Sequence, residues 1–530
     1  MRKTPIKIYV LAALLSMSAV SCKKDLNLLP TNDITATTVY STPAGYKQAL
    51  AKVYGSYALT GNKGPAGDDG TKDIQGIDEG TSDFYRLYWQ AQELPTDEAV
   101  IGWGDAGLPD FHNMSWSSNN GFLKGLYYRS FYQITLANDF IRQSTDGMIS
   151  SRGISGNDAT AIRAYRAEAR FLRAYQYSVL MDLFGNVPFV TENDDLGASL
   201  PKQIARKDLF SYVESELKAI DGDLVAARQN EYGRADKAAA YALLARIYLN
   251  ANVYTGTPRY NDAATYAKRV IDAGYSLIGN YRNLMTADNN LNTSEFILTI
   301  NYDGVRTQGY GGTTFLLHAS IGGSESAASR GADGGWAGLR TTKNLVNLFP
   351  DNTGAADKRA QFYTNGQSLE INNVSNFTDG YAITKYRNLK ANGGAPSNLT
   401  FADIDVPLFR LSEMYLIYAE SVLRNPSAGD LVTALGYVNL IRARAYGNAT
   451  GAVTTINLDF ILDERARELY WEAQRRTDLI RYDRFVTGAY LWPFKAGVIG
   501  GRASDANHNL YPLPVADVTS NTNLKQNPGY

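Results

Sequence analysis

The stretch DFILDERARELYWEAQRRTDLIRYDRF, residues 459–485, combines an apolar seam with closely spaced charges. Its apolar and small residues recur at steps of three and four, which is the period of an amphipathic helix. We predict one continuous helix of about seven turns, with Asp459 as its N-cap. The acid-before-base pairs Asp463–Arg467 and Glu472–Arg476 would stabilise it. We interpret the charges as a solvated face with structural ion pairs, in preference to an active site.

Three alanine-rich stretches elsewhere in the chain also show helical periodicity. They cover residues 161–185, 235–254 and 406–424, and the last two are each followed by a second helical stretch. Ala169 and Ala174 recur as Ala240 and Ala245, at an offset close to two tetratricopeptide units of about 34 residues. We therefore predict a mainly α fold on a degenerate tetratricopeptide-type scaffold, with helical hairpins at about 161–275 and 406–485.

Residues 60–120 and 301–400 differ from the helical stretches because they are rich in Gly, Asn, Asp, Ser and Thr. Ordered loops of this length are uncommon unless they have a function, so we expect binding residues in this loop-rich half. EFILTI at 295–300 is predicted to be a short strand, and TFLLHA at 314–319 is a second candidate strand.

Composition narrows the function classes. A net charge of −1 without a basic stripe argues against a nucleic-acid partner. With three histidines and no HExxH, GxSxG or P-loop motif, the chain shows no common catalytic signature. The 36 tyrosines and 6 tryptophans offer apolar faces with polar edges, which suit sugar rings. Packing between helices is the alternative role for most of these tyrosines.

The chain begins with a secretory pattern. Basic residues precede an apolar run at 8–20, which is too short to span a bilayer. Small residues then precede Cys22, the single cysteine of the sequence. We predict a lipoprotein signal peptide at 1–21, lipidation of Cys22 and a tether at 22–35 that anchors the protein to a membrane. An ordinary signal peptide with an incidental cysteine is the alternative.

The motif ERARELYWEAQRRTDLIRYDRF, the chain end LYPLPVADVTSNTNLKQNPGY and the lipoprotein-type beginning together resemble the SusD/RagB family. The resemblance implies a SusD-like α-helical fold over residues 36–530, with a glycan site on the loops at about 60–120 and 301–400. It also implies a non-catalytic lipoprotein on the cell surface of the outer membrane. Such a protein passes glycan to a TonB-dependent, SusC-like barrel.

Two segments of the loop-rich half, residues 76–104 and 310–338, combine aromatic residues with hydrogen-bonding groups. Glycines lie on both sides of Trp103 and Tyr310, and Trp336 follows Gly335, with Gly338 two positions after it. From the residues alone, these rings are either held out on exposed turns for stacking or packed within their loops.

The pieces IDEG, FYR, ELPTDE, YGG and GW resemble starch-binding members of the family. The resemblance assigns an aromatic arc to Trp103, Tyr310 and Trp336, and polar sugar contacts to Asp78 and Arg86. The pattern departs from those members at two positions. Ile101 replaces a further tryptophan, and Ala106 replaces an amide, with Asp105 beside it as a substitute.

We expect an α-1,4-glucan, such as starch or malto-oligosaccharide, as the ligand. Another glycan such as fructan or chitin is the first alternative, and the second is a protein-binding lipoprotein with structural loop aromatics. No cofactor is predicted. The pattern Asp288-x-Asn290-x-Asn292 is similar to a calcium loop, but Thr293 and Thr299 stand where glycine and glutamate are required. An Asn-rich turn is the preferred interpretation.

Overall fold

The protein is described by a computed structural model that covers residues 36–62, 72–194, 197 and 199–530. The α-helices of this part of the chain are α1 (Ala36–Val39), α2 (Pro43–Gly55), α3 (Phe84–Glu93), α4 (Asp110–Asn113), α5 (Gly121–Gln143), α6 (Asp146–Ser151), α7 (Gly156–Leu183), α8 (Arg206–Ala219), α9 (Lys237–Leu249), α10 (Ala251–Thr255), α11 (Tyr260–Ile271), α12 (Gly312–Ala319), α13 (Lys343–Val346), α14 (Leu411–Arg424), α15 (Leu431–Tyr446), α16 (Leu458–Leu469), α17 (Arg475–Arg481) and α18 (Val515–Ser520). The strands are β1 (Val100–Ile101), β2 (Val187–Pro188), β3 (Gln203–Ile204), β4 (Phe296–Ile300), β5 (Leu339–Arg340), β6 (Phe362–Tyr363), β7 (Ala382–Ile383) and β8 (Val406–Arg410). The prediction of a mainly α fold with a few short strands is confirmed. The predicted signal peptide, Cys22 and tether lie outside the described residues.

The long helices pack against one another in succession. Helix α5 packs on α7 and α7 on α8, while α9, α11, α14 and α15 form a second row of packed neighbours. Ala169, Ala174, Ala240 and Ala245 are buried on these helices, as expected if small side chains let helix backbones approach closely. Across the described residues, every helix is too short or too polar to span a lipid bilayer.

The strands form antiparallel pairs: β1 with β5, β2 with β3, β4 with β8, and β6 with β7. Strand β4 confirms the strand predicted at 295–300. Its partner β8 occupies the start of the stretch 406–424, so helix α14 begins later than predicted. The strand proposed for 314–319 is wrong, because these residues belong to α12. This run is buried on every side, and periodicity does not separate a strand from a helix in such a run.

The continuous helix predicted for 459–485 is also wrong. Residues 470–474 separate α16 from α17, and within them Trp471 and Ala473 adopt left-handed φ angles of 62° and 60°. Tertiary hydrogen bonds replace the helical ones at this break. The Trp471 amide donates to the Glu98 carboxylate at 3.0 Å, and the Trp471 indole donates to the Glu98 carbonyl at 3.0 Å. Helical periodicity continues through the break because the apolar seam faces the interior on both sides of it, buried before the break and half-buried at Thr477 and Ile480 after it.

Local details of α16 differ from the prediction as well. Asn457, rather than Asp459, caps the helix, because its side-chain oxygen accepts from the amide of the third residue that follows. Arg467 binds Glu464 at 2.7 Å, in place of the predicted partner Asp463. Both changes involve groups one or two positions from those predicted, which is the usual uncertainty of helix ends.

The solvated face predicted for the charges of this segment is wrong, although they do form structural ion pairs. Glu472 binds Lys385 at 2.6 Å and Arg410 at 2.7 Å, in place of the predicted Arg476. These groups belong to a buried ion cluster, which we define as Glu295, Asp357, Arg359, Lys385, Arg410, Arg442, Arg444, Glu464, Arg467, Glu468 and Glu472. Opposite charges in contact compensate part of the cost of removing each charge from water.

Candidate functional site

Asp83 joins the two segments that contain the predicted site residues. Its carboxylate caps α3 by accepting from the Arg86 amide at 2.8 Å, and the same oxygen accepts from the Gly312 amide at 2.8 Å. A Cβ on Gly311 would lie 2.1 Å from the Asp83 Cβ, so this close approach requires glycine. Burial raises the pKa of Asp83, while the two amides act in the opposite direction. Asp83 thereby fixes the turn that presents Tyr310.

The loop of Trp336 lies along the C-terminal end of α12. The amides of Trp336, Ala337 and Gly338 donate to the carbonyls of His318, Ile321 and Ala319 at 2.7, 2.9 and 2.8 Å. The His318 ring stacks on the Trp336 indole, with centroids 4.9 Å apart and planes 20° apart. The sequence showed no role for His318, whereas in the structure it is buried and stacks under Trp336.

Strand pairing brings Trp103 beside Trp336. Strand β1 pairs with β5, and the Gly102 amide extends the pairing by donating to the Gly338 carbonyl at 3.0 Å. The Trp103 indole donates to the Trp336 carbonyl at 3.1 Å. A Cβ on Gly338 would lie 2.5 Å from the Trp103 ring. At this position, glycine allows an indole to pack on the backbone of the neighbouring loop.

Trp103, Trp336 and Tyr310 form one row, which we call the aromatic arc. The Trp103 and Trp336 centroids are 6.4 Å apart with planes inclined by 45°, and those of Tyr310 and Trp336 are 6.3 Å apart with planes inclined by 53°. Tyr310 is 36% exposed, and both tryptophans are half-buried. Phe315 packs edge-on against Trp103, and Phe401 packs beside Tyr310. The arc is a braced, partly exposed row that can stack on ring-shaped ligands.

Arg86 lies beneath the Tyr310 end of the arc. Its Nη1 donates to the carbonyls of Gly80 at 2.8 Å and Tyr310 at 3.2 Å, and its guanidinium lies over the Phe315 ring at 4.4 Å. Burial lowers the pKa of Arg86 to about 10, against the opposing effect of nearby carboxylates, among which Asp83 acts most strongly. These contacts brace the Tyr310 turn from inside.

Asp78 and Asp105 are exposed near the arc. Both carboxylates act electrostatically on Arg86. Ile101 is fully buried in β1. Its side chain is therefore part of the core, and no ring at position 101 extends the arc. Ala106 is exposed and supplies no hydrogen-bonding side chain.

Sequence reasoning missed the residues that support the arc: Asp83, Phe315, His318 and Phe401. Asp83 precedes the helical FYR motif at the position of an N-cap, which is a readable local pattern. Phe315, His318 and Phe401 show no such local pattern, because each contacts an arc residue that is distant from it in the chain. The assignment of 76–104 and 310–338 to loops was also incomplete, since α3 and α12 lie within these segments.

The calcium-like pattern serves as a turn. Asp288 accepts from the Thr286 hydroxyl at 3.0 Å and from the Ala391 amide at 2.8 Å, while Asn292 donates to the Asn283 carbonyl at 2.6 Å. Within the described ranges, no group of three or more His, Cys, Asp or Glu side chains is placed to hold a metal ion.

Two family models match the chain. One describes the SusD family and matches residues 356–530. The other is described as starch-binding and associating with the outer membrane, and it matches residues 112–249. The matched ranges include the ERARELYWE motif and the helices α5 to α9.

Individual relatives agree with these models. The chain is 36% identical to the starch-binding protein SusD of Bacteroides thetaiotaomicron, over 98% of both chains. It is 28% identical to a SusD-like protein of Formosa agariphila, over 81% of this chain and 85% of the other.

Solved structures share the fold. The surface glycan-binding protein A of Bacteroides fluxus matches with a TM-score of 0.71 at 22% identity, over 92% of this chain and all of the other. The corresponding Bacteroides thetaiotaomicron protein, solved with laminarihexaose, matches with a TM-score of 0.68 at 20% identity, over 91% and 99% of the two chains. The chain therefore belongs to the SusD/RagB family of non-catalytic, carbohydrate-binding proteins.

Proposed function

We propose that the protein binds α-1,4-glucan, such as starch or malto-oligosaccharide, on the aromatic arc. The observation that carries this proposal is the inclination of successive rings by 45° and 53°. A flat β-1,4 chain stacks best on coplanar rings, whereas the turning residues of an α-1,4 chain present faces that change direction from one sugar to the next. The 36% identity to a starch-binding relative supports the same ligand class.

Polar contacts at the edges of the arc complete the proposed site. Asp78 and Asp105 are exposed carboxylates, and each can accept a charge-assisted hydrogen bond from a sugar hydroxyl. Arg86 has its Nη1 engaged by Gly80 and Tyr310. In this proposal Arg86 contributes by holding the Tyr310 carbonyl beneath the arc. Weak binding per sugar is multiplied along a polymer that offers many equivalent segments.

We further propose that the protein is a lipoprotein anchored through Cys22 on the cell-surface side of the outer membrane. There it would pass glycan to a TonB-dependent, SusC-like barrel, with its tetratricopeptide-type helical half toward the barrel and the loop-rich half toward the medium. The SusD/RagB family and the description of the matched model support this location. Replacing Cys22 with serine should release the protein from membranes; continued attachment would refute the lipid anchor.

Calorimetry on the form lacking residues 1–22 tests the ligand directly. The ligands are maltoheptaose, a cyclic α-glucan, laminarihexaose and a cello-oligosaccharide. The proposal predicts binding of the first two and loss of that binding in Trp336→Ala and Trp103→Ala, with both variants still unfolding cooperatively. Tyr437→Ala is the matched control, because this half-buried tyrosine stacks on Tyr415 in the helical half. Preference for laminarihexaose would keep the arc and change the sugar.

A protein-binding lipoprotein is the second candidate function. The observation that favours it is the exposure of apolar side chains on α15, where Val432 is 77% exposed and Leu440 is 49% exposed. These two residues are two helical turns apart and lie on one face. This candidate predicts that no glycan of the series binds, and that Trp336→Ala lowers stability, because the loop aromatics are then structural, without changing the binding of the protein partner.

A further inference from the structure

His318 contacts two backbone carbonyls at once. It lies in the last turn of α12 and is 1% exposed. Its Nδ1 is 2.7 Å from the Gly334 carbonyl oxygen, and its Nε2 is 2.9 Å from the Thr400 carbonyl oxygen. A carbonyl oxygen can only accept a hydrogen bond, whereas a neutral imidazole has one N–H and one lone pair. Both contacts are hydrogen bonds only when the ring carries two protons.

Groups that attract a positive charge lie around the ring, and its burial opposes them. The Asp333 carboxylate lies 3.9 Å from Nδ1, and the negative end of the α12 dipole is adjacent. The Trp336 indole stacks on the face of the imidazole ring, and the π face of an indole attracts a cation.

The elements packed against His318 present few other charges. The 333–338 loop contributes Asp333, and its carboxylate also accepts from the Thr400 hydroxyl. The segment around Thr400 contributes its carbonyl and the neutral Phe401 ring. From α3, Arg86 lies over Phe315, one turn before His318 on α12.

The geometry points to His318 as a positioning residue of the aromatic arc that acts in its doubly protonated form. The imidazolium ties the 333–338 loop to the Thr400 segment and supports the Trp336 ring from below. When the proton is lost, one of the two carbonyls faces a lone pair at hydrogen-bond distance, and that contact becomes repulsive. Trp336 then shifts, and the affinity for glucan falls as pH rises. The effect on affinity rests on the proposed function, whereas the support of Trp336 does not.

Magnetic resonance of the full-length protein, with nitrogen-15 in its histidines and tryptophans, tests the protonation state without any ligand. His318→Gln and Trp336→Phe assign the two resonances. Over a series from about pH 5 to pH 9, we expect His318 to show two imidazolium N–H groups at the acid end, and the Trp336 indole resonance to move when one of these protons is lost. The proposal would be overturned if His318 is a single neutral tautomer across this range, or if the Trp336 resonance does not change with pH.

Affinity for maltoheptaose, measured over the same pH range in a detergent without a sugar headgroup, tests the consequence. We expect the affinity of the unaltered protein to fall by about fivefold as His318 loses its proton. His318→Gln should bind more weakly at low pH and show a flat profile. His508→Gln is the matched control, because that ring contacts Trp116 and Tyr530; it should retain the slope of the unaltered protein.

The two experiments distinguish failure of the proposed function from failure of the positioning role of His318. If no glucan binds at any pH while the His318 and Trp336 resonances titrate together, the proposed function fails and the positioning role stands. If glucan binds with the same pH profile in the unaltered protein and in His318→Gln, the positioning role fails and the proposed function stands.

Discussion

Gly338 lies between the two tryptophans of the aromatic arc. Its amide binds the end of α12 and its carbonyl binds Gly102, so the backbone here is held on both sides. The Trp103 indole packs where a side chain at position 338 would be. At the residue scale, the arc therefore requires glycine at position 338, which has no Cβ, as well as the aromatic rings themselves.

Gly338→Ala should displace Trp103 and lower glucan affinity by at least about tenfold, because the new Cβ would lie 2.5 Å from the indole. Gly334→Ala is the matched control in the same loop, since a Cβ there meets nothing within 4 Å. Calorimetry measures the affinity, and thermal unfolding checks that both variants remain folded. Equal affinities in the two variants would contradict the packing role of Gly338.

At the scale of elements, α16 is held by charge in the interior. Glu468 is fully buried, and its carboxylate binds Arg410 and Arg444 on one oxygen and Arg359 at 3.3 Å on the other. The three arginines hold the pKa of Glu468 well below its usual range, against the effect of burial. The helix therefore presents ionised carboxylates to a set of arginines from three other parts of the chain.

Glu468→Gln should lower the free energy of unfolding by about 3–5 kcal/mol, because it leaves buried arginines without their counter-charge. Asp459→Asn serves as the control on the same helix. Asp459 binds Arg484 at 2.6 Å with 72% of its own side chain exposed, so its loss should cost less than about 1 kcal/mol. Urea unfolding measures the free energy of unfolding of both variants. Equal losses in the two would show that burial does not determine how much an ion pair contributes to stability.

At the scale of the whole molecule, the break at 470–474 joins regions far apart in the chain. The Gln474 amide donates to the Glu93 carboxyl across 381 positions, and the Trp471 amide donates to Glu98 across 373. The Glu93 and Glu98 carboxyl groups are both buried and interact with each other in the interior. Burial raises the pKa of Glu93 to about 7, and burial together with the neighbouring Glu93 raises that of Glu98.

This carboxyl pair makes stability depend on pH. Between the ordinary value of 4.5 and about 7, the folded chain holds the Glu93 proton and the unfolded chain does not. The contribution of Glu93 to the free energy of unfolding therefore falls as pH rises through this window. Glu93→Gln has no such proton, and its amide can still accept from Gln474 and donate to Glu98. Its stability relative to the unaltered protein should rise with pH by up to roughly 3 kcal/mol.

Chemical unfolding at several values between about pH 4.5 and pH 8 measures this difference. Glu370→Gln is the control, because Glu370 is an exposed carboxylate that binds Lys343 at 2.8 Å; its difference from the unaltered protein should stay constant. If the Glu93→Gln difference is also constant over this range, Glu93 is not protonated in the folded protein.

The sequence by itself determined the family, the mainly α fold class, the packing role of the repeated alanines and strand β4. These depend on local periodicity and on motifs that are contiguous in the chain. The sequence also singled out the three aromatic residues that the structure brings into one row, and their role in binding remains a prediction.

Only the tertiary structure decided the break in the 459–485 helix, the helical state of 312–319, the burial of the ion cluster and the place of His318 under Trp336. Each depends on partners that are distant in sequence, such as Asp83 for the start of α12, 229 positions away. Periodicity reports which side of a segment is buried, but it does not identify the group that the segment meets there. At 470–474, hydrogen bonds from another part of the chain outweigh the helical tendency of the sequence.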